Sequence, residues 1–459
     1  MQKDHYHLIG IGGIGMSAIA MALLKNGYSV SGSDLASNSL IKDLKDLGGL
    51  IFVNHEEKNI DLIKQKYIKK NIIIVTSSAI KKSNIELSYC LKQNLVVKHR
   101  SEILSLIMKA YNSIAVAGTH GKTTTSTFLS TLLDLCTKDC SSIIGGISQL
   151  YNSNAHIKKS KYLVAEIDES DGTTSNYKSE LSIINNIDFD HCDHYSNTQE
   201  VISSFRSFAI NSEKLLINND CPITSSNFKS EYQWSIKTKK NIEFAMIPEQ
   251  ISKSETVANY YENGKFIDQL HIPVPGLHNL SNATAAISAC RINNISILKI
   301  KENIKYLKLP KKRFEYRGEF LKRTIIDDYA HHPIEIKATI ELARLIIKDE
   351  KSIYQKRLVV IFQPHRFSRV KQFANEFARE LANADLIILT DIFSAGEKQV
   401  DVINSEIIGD KIHKINQNIK CLKNNYEIKN QFEEITQRND LIVNMGAGDC
   451  HNLWSILNN

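Results

Sequence analysis

Eight consecutive residues, Ala117-Gly118-Thr119-His120-Gly121-Lys122-Thr123-Thr124, carry the clearest chemical signal in this chain. Small residues let main-chain N–H groups close around phosphate oxygens, a helix N-terminus adds positive potential, and Lys122 supplies a mobile charge. Thr123 then offers a hydroxyl to a magnesium ion. Gly118, Thr119, His120, Gly121, Lys122, Thr123 and Thr124 are therefore the candidate nucleotide-phosphate residues. The common phosphate-loop pattern has its first glycine at position 116, where this chain has Val116. The alternative is a strand-to-helix turn that merely needs glycine. The flanking apolar strand and the helix that follows are what the phosphate reading requires.

Two further segments bring ligands for such a site. Val164-Ala165-Glu166-Ile167-Asp168-Glu169-Ser170-Asp171 is an apolar strand ending in carboxylates, and open parallel sheets bind ligands beyond their strand carboxyl ends. Magnesium prefers oxygen donors, so Glu166 is the first choice as its ligand, the alternative being a solvated acidic loop. Ile187-Asp188-Phe189-Asp190-His191-Cys192-Asp193-His194 is another strand end. It should adjoin the first, and a neutral His191 imidazole there completes a second magnesium site. His194 reads as a hydrogen-bonded structural histidine.

A separate glycine turn opens the chain. In His7-Leu8-Ile9-Gly10-Ile11-Gly12-Gly13-Ile14-Gly15-Met16, Gly10, Gly12 and Gly15 fit G-x-G-x-x-G, and Asp34 falls where a dinucleotide fold places its ribose-binding acid. Taken alone, this favours an NAD enzyme, yet such an enzyme has no use for the downstream phosphate loop.

These residues need elements to hold them. Residues 7–10 and 28–32 read as strands around a helix over 16–26, with a further buried strand at 72–75. A second unit has strands at 114–117, 163–167 and 181–187, a helix over about 123–133, a hairpin turn at Asn263-Gly264 and an alanine-rich helix over 282–291. A third has strands at 324–326, 358–362, 386–390 and 441–444 with helices between. Regular alternation of strands and helices predicts parallel, doubly wound sheets. The 459 residues suit about three domains. Their boundaries are placed at 1–108, 109–312 and 313–459. The expected fold class is α/β with a Rossmann-like N-terminal domain, a central phosphate-loop ATPase-type domain and a Rossmann-like C-terminal domain.

Composition excludes other classes. The formal charge of +7 comes from lysines spread along the chain, a solvated surface rather than a nucleic-acid patch. No run of about 18 uncharged apolar residues is present, so no membrane span is expected. The opening residues lack a basic stretch followed by an apolar one, which favours a cytoplasmic location. Eight scattered cysteines read as free buried thiols.

In combination, Gly118 to Thr124, Glu166 and His191 resemble the central ATPase domain of the Mur ligase superfamily, which also includes folylpolyglutamate synthetases. The resemblance implies ATP, two magnesium ions and an acyl-phosphate intermediate, with Lys122, Glu166, His191 and Arg313 catalytic and Thr123, Glu166 and His191 on the metal. Gly276-Leu277-His278-Asn279-Leu280-Ser281-Asn282-Ala283 is similar to the family's adenine-side segment, with Asn279 and Asn282 at the matching positions. An amide suits adenine because it donates and accepts at once, although helix capping would equally use asparagine.

The glycine turn, Ser77-Ser78-Ala79-Ile80 and Arg100-Ser101-Glu102 resemble the family's alanine-adding branch, in which this turn carries UDP. The resemblance implies that Gly12, Gly13, Ile14, Gly15, Asp34 and Ser77 bind UDP-N-acetylmuramate. Lys312-Arg313-Phe314, Asp327-Asp328-Tyr329-Ala330-His331-His332-Pro333, Phe362-Gln363-Pro364-His365-Arg366-Phe367-Ser368-Arg369 and Gly446-Ala447-Gly448-Asp449 continue it, with Ala330 where glycine is usual. Arg313 and Asp328 would then serve ATP phosphate and ribose, and Tyr329, His331, Arg366 and Arg369 the L-alanine. Arg366 and Arg369 are three apart, so a helical turn over 364–369 would bring both guanidinium groups to one side. A surface pair bridging acids is the other reading. His332 and His365 read as structural. No lysine at 197–208 matches the carbamylated residue of sibling ligases. The implied partners are UDP-N-acetylmuramate, L-alanine and ATP, without nucleic acid or membrane, for a monomer or weak homodimer. A recycling ligase that adds a tripeptide to the same sugar nucleotide shares most of these motifs.

Overall fold

A computed structural model describes residues 4–191, 194–349, 356–398 and 403–459. Cys192 and Asp193, part of the acidic strand end singled out above, lie outside these residues. The first sheet runs β3 (Leu50–Val53), β2 (Ser29–Asp34), β1 (His5–Ile9), β4 (Ile72–Thr76), β5 (Val96–His99), with every pairing parallel. Its order reverses at β1, and ligands collect outside the strand carboxyl ends at such a switch point. The glycine turn follows β1 there and leads into helix Ile14–Lys25.

The central sheet has ten strands in the order β15 (Lys265–Ile272), β14 (Thr256–Glu262), β13 (Phe244–Ile251), β12 (Tyr232–Ser235), β11 (Ser212–Asn218), β10 (Ser179–Ile184), β6 (Asn112–Ala117), β9 (Tyr162–Glu166), β7 (Cys140–Ser148), β8 (Ser153–His156). Its middle, β13 to β7, is parallel, and antiparallel strands close both edges. Asn263 and Gly264, at φ 49° and 76°, make the tight hairpin turn expected between β14 and β15. The third sheet runs β16 (Glu315–Phe320), β17 (Arg323–Asp328), β21 (Leu441–Met445), β18 (Leu358–Phe362), β19 (Leu386–Leu389), β20 (Ile419–Cys421). In it β16 is antiparallel to β17 and the other pairings are parallel. The three-domain α/β architecture expected from the alternation is therefore present.

The alanine-rich helix expected over 282–291 starts earlier, spanning Leu277–Ile292, and two further elements differ from expectation where side chains intervene. Helix Lys122–Thr137 extends beyond 123–133 at both ends. Its threonines are weak helix formers, but Phe128, Leu129, Leu132 and Leu133 are buried in the central core, so packing overrides propensity. β10 ends at Ile184 rather than 187, because Asn185 and Asn186 turn their amides to the phosphate loop. Helix Ile14–Lys25 also packs on β7 and β8, where Asn154 Nδ2 donates to Ile14 O at 2.6 Å and Ser17 Oγ at 2.9 Å. That helix locks the first domain to the second. The seven described cysteines are free as expected, but only Cys90, Cys140, Cys290 and Cys450 are buried, Cys136 and Cys221 being partly exposed and Cys421 exposed. No described helix is long and apolar enough to cross a membrane.

Candidate functional site

The phosphate loop leaves β6 at Gly118, whose φ is +144° and where an added Cβ would stand only 2.9 Å from Asn185 Cβ, so no side chain fits. Gly121, at φ +78°, precedes helix Lys122–Thr137, and a Cβ there would collide with Asn282 Oδ1. Asn186 grips the loop at both main-chain groups of His120, accepting its N–H at 2.8 Å and donating to its carbonyl at 3.1 Å. Asn185 Nδ2 donates to Thr125 Oγ1 at 2.9 Å, which donates to Asn282 Oδ1 at 3.2 Å. This relay ties β10, the loop helix and helix Leu277–Ile292 together. The sequence reading missed Asn185 and Asn186. A pair of asparagines closing an apolar strand was the available signal.

Lys122 is not an open, mobile charge here. Its ammonium donates to Gly118 O (2.6 Å), Thr119 O (3.0 Å) and Glu169 Oε1 (2.9 Å). Burial works against that charge, but Glu169, Asp168 and Glu166 outweigh it and raise the pKa. Thr123 Oγ1 donates to Glu166 Oε1 at 2.9 Å and Gly145 N to Glu166 Oε2 at 2.6 Å, so the hydroxyl and carboxylate expected on magnesium do meet. Burial raises the Glu166 pKa against the opposing pull of Lys122, Gly145 N–H, Thr123 and Arg313. His191 faces Glu169 instead, with Nε2 3.4 Å from Oε1. Glu169 Oε2 and His191 Nδ1 are both buried without a hydrogen-bond partner. These oxygen donors and orphaned atoms fit a divalent ion. Glu169 is 1% exposed, and the sequence reading passed over it in favour of Glu166.

A cavity of about 680 Å³ separates the loop from the third domain, and His120, Gly121, Thr124, Asn279, Arg313 and Asp328 are among its walls. Asn282 also lines it. Gly276, not an asparagine, caps helix Leu277–Ile292. Asn279 and Asn282 sit inside its first two turns, Asn279 Nδ2 donating to Pro275 O at 2.8 Å. The Arg313 guanidinium lies 5.2 Å from the Tyr329 ring and 3.7 Å from Glu335. Asp328 already accepts Phe314 N and Ala330 N, both at 2.7 Å. Glu335, which the sequence reading did not single out, is the hub. It meets His120 Nδ1 at 3.4 Å, His331 Nδ1 at 3.2 Å and Arg313. Despite burial, these cationic and polar neighbours hold its carboxyl well below the usual range. His331 Nδ1 also lies 2.9 Å from Tyr329 O, and burial pushes the His331 pKa down to about 4.

The arginine pair departs from expectation. The helix begins at Phe367, and Arg366 precedes it at φ 72°, so 364–369 is not one helical turn and the two side chains diverge. Arg366 Nη1 is 3.9 Å from Glu397, whereas Arg369 grips Asp190 of the central domain through Nε (3.1 Å) and Nη2 (2.8 and 3.1 Å). Against the effect of burial, Arg369 holds the Asp190 carboxyl far below its ordinary range.

In the first domain, Gly12 N donates to Asp34 Oδ2 at 2.8 Å, and Asn38 Nδ2 donates to Gly12 O at 3.0 Å. Gly13 caps helix Ile14–Lys25, and Ser77 starts the turn after β4, its carbonyl accepting Ile80 N. A Cβ on Gly15 would stand 3.2 Å from Arg100 Nη1. Arg100 Nη2 in turn holds Asp168 (2.8 Å) and Asp171 (3.3 Å) of the central domain. The glycine turn thus faces the same cleft as the phosphate loop, with Arg100 between them.

Fold and site define a nucleotide-binding α/β protein of three domains, its phosphate loop set where all three approach. Sequence comparison narrows this. Residues 5–112 match the profile of the Mur ligase family, catalytic domain, residues 116–290 the Mur ligase middle domain, and residues 312–448 the Mur ligase, glutamate ligase domain. The chain belongs to the Mur ligase family. It is 62% identical to the UDP-N-acetylmuramate–L-alanine ligase of Prochlorococcus marinus subsp. pastoris over 460 aligned residues, covering 100% of this chain and 97% of that protein. The crystal structure of the UDP-N-acetylmuramate-alanine ligase from Thermotoga maritima superposes with a TM-score of 0.83 at 25% identity, covering 99% of this chain and 98% of that one. A murein peptide ligase from Psychrobacter arcticus shares the fold with a TM-score of 0.71 at 22% identity and the same coverage.

Proposed function

We propose that this chain joins L-alanine to the carboxylate of UDP-N-acetylmuramate, using ATP and magnesium, in the cytoplasmic synthesis of peptidoglycan precursor. The observation that carries this is end-to-end 62% identity with a relative of that name. The converging glycine turn, phosphate loop and third-domain cleft support it. In this reading residues 1–108 bind the sugar nucleotide, 109–312 ATP and 313–459 the amino acid.

The loop amides from Gly118 to Thr124 and the Lys122 ammonium hold the polyphosphate, while Asn279 and Asn282 face adenine and Asp328 the ribose. Thr123 and Glu166 would hold one magnesium ion and His191 a second, and the ions would supply charge neutralisation at the γ-phosphoryl group. Lys122 and Arg313 position that group for in-line attack by the muramate carboxylate oxygen, as the P–O bond to ADP breaks. Ile14 and Gly15 present main-chain N–H groups to the UDP diphosphate, while Gly12 and Gly13 shape the turn, Asp34 bracing it through the Gly12 N–H and Ser77 standing beside it. Tyr329, His331, Arg366 and Arg369 hold alanine so that its amine attacks the acyl carbon. The amine loses its proton, phosphate leaves, and closure of the third domain keeps water from the acyl-phosphate.

The test is ADP release from UDP-N-acetylmuramate with L-alanine or with the tripeptide L-alanyl-γ-D-glutamyl-meso-diaminopimelate. Turnover with L-alanine and none with the tripeptide is expected. The reverse preference would assign the chain to peptide recycling.

A further inference from the structure

A second group of donors stands beside the phosphate site and is not used by the mechanism above. His120 lies in the loop, Asp188 in the segment after β10, and His332 just before helix Pro333–Asp349. One donor atom from each lies within 4.8 Å of the others. His120 Nε2 is 3.7 Å from Asp188 Oδ2, and the two imidazole centroids are 4.7 Å apart. His332 is 3% exposed. Both His120 Nε2 and His332 Nε2 are buried, and neither has a hydrogen-bond partner among the described residues. Buried polar atoms in native folds are nearly always satisfied, so two orphaned imidazole nitrogens beside a carboxylate ask for a ligand.

The chemistry of the set narrows that ligand. Two imidazoles beside one carboxylate suit a first-row transition ion such as Zn²⁺, whereas Mg²⁺ favours a set dominated by oxygen ligands and water. The other nitrogen of His120, Nδ1, is 3.4 Å from Glu335 Oε1. A carboxylate behind a histidine in this way fixes its tautomer and ring orientation at metal centres. His332 Nδ1 takes a long, 3.4 Å contact from Ile334 N, so that ring can turn or change tautomer with little lost. We propose that His120, Asp188 and His332 form a binding site for a transition-metal dication, distinct from the magnesium site at Thr123 and Glu166. Ligand atoms sit about 2.0 to 2.2 Å from such an ion, closer to one another than they stand here, so binding draws His332 toward His120. His120 and Asp188 belong to the central domain and His332 to the third. The ion therefore clasps the two domains and opposes the opening that product release needs.

The probe is Co²⁺, titrated into the full-length chain without affinity tag or nucleotide and followed by the visible absorption of the four-coordinate ion. One equivalent is expected to bind. His332→Asn should weaken it by roughly 10- to 100-fold, and Glu335→Gln, which removes the support behind His120, by about tenfold. Glu166→Gln should leave this event unchanged. Loss with Glu166→Gln but not with His332→Asn would place the ion at the nucleotide site and overturn the proposal, as would no stoichiometric absorption at all. Zn X-ray absorption on the unaltered protein gives a reading independent of whether the variants fold. Imidazole and oxygen scattering is expected, and sulfur ligands would overturn the assignment.

Discussion

Lys122 is held by three oxygens, and one of them belongs to a carboxylate that is itself 1% exposed. Lys122→Ala therefore removes two things at once: the positive charge that would meet the γ-phosphoryl group, and the partner of Glu169. Loss of one such electrostatic contact lowers turnover roughly 10²-fold or more, and an unpaired buried acceptor costs about 1 to 3 kcal/mol. Adding Glu169→Gln should restore the melting temperature without restoring turnover, and the two readouts would then separate charge from packing. Stability that returns together with activity would remove Lys122 from the catalytic role. His120 gives a second prediction at this scale. With chelator present, so that no dication occupies the His120–Asp188–His332 site, burial opposes its charge, but Asp188 and Glu335 prevail and raise its pKa to about 9, above the unfolded value of about 6.5. Its contribution to stability is thus complete below about pH 6.5 and fades as pH rises through 9. The melting temperature of the parent chain should fall more steeply between pH 7 and 9.5 than that of His120→Gln. Parallel curves would mean that His120 is neutral in the folded protein.

The turn between β1 and helix Ile14–Lys25 works as an element because its main chain, not its side chains, faces the ligand. A Cβ on Gly12 would come within 2.9 Å of both Asp34 Oδ2 and Ile41 Cδ1, pushing the turn away from the carboxylate that braces it. Gly12→Ala is expected to raise the Michaelis constant for the sugar nucleotide at least tenfold and to leave that for ATP near its parent value, in steady-state assays varying each substrate. Equal effects on both would mean a general loss of fold. This turn and the phosphate loop were legible in the sequence because each is a local device, its residues fixed by the strand before and the helix after. What was not legible depends on register between distant segments. Asn185 and Asn186 matter only because β10 lies beside β6. Glu335 matters only because its helix start abuts the loop of another domain. The arginine pair was misjudged because Arg366 takes a left-handed φ of 72°, a backbone state that spacing does not reveal.

On the scale of the whole molecule, the domains are held unequally. The first is fixed to the second by a shared apolar core and the Asn154 and Arg100 contacts. The third is tied across the cavity by charged groups, chiefly the Arg369–Asp190 pair, which is 4% and 6% exposed. Deleting one partner of a buried pair inside a core costs about 3 to 5 kcal/mol, because the survivor is left without hydration. Here the survivor has an escape. If the third domain swings outward, the guanidinium reaches water, so Asp190→Asn should appear as opening rather than as melting. Asp190 occupies Nε and Nη2 of Arg369, and Nη1 lies 3.3 Å from His365 O, so the same contact fixes where an alanine carboxylate could meet this residue. Opening would therefore weaken alanine capture while sparing phosphorylation of the sugar carboxylate. Small-angle scattering of Asp190→Asn should show a larger radius of gyration. Alanine saturation at fixed ATP and sugar nucleotide should shift upward about tenfold, equivalent to about 1.4 kcal/mol. Positional isotope exchange in ATP without alanine should stay near the parent rate. Should scattering and alanine saturation both match the parent protein, Arg369–Asp190 is a packing contact and domain closure rests on Glu335 and its three partners.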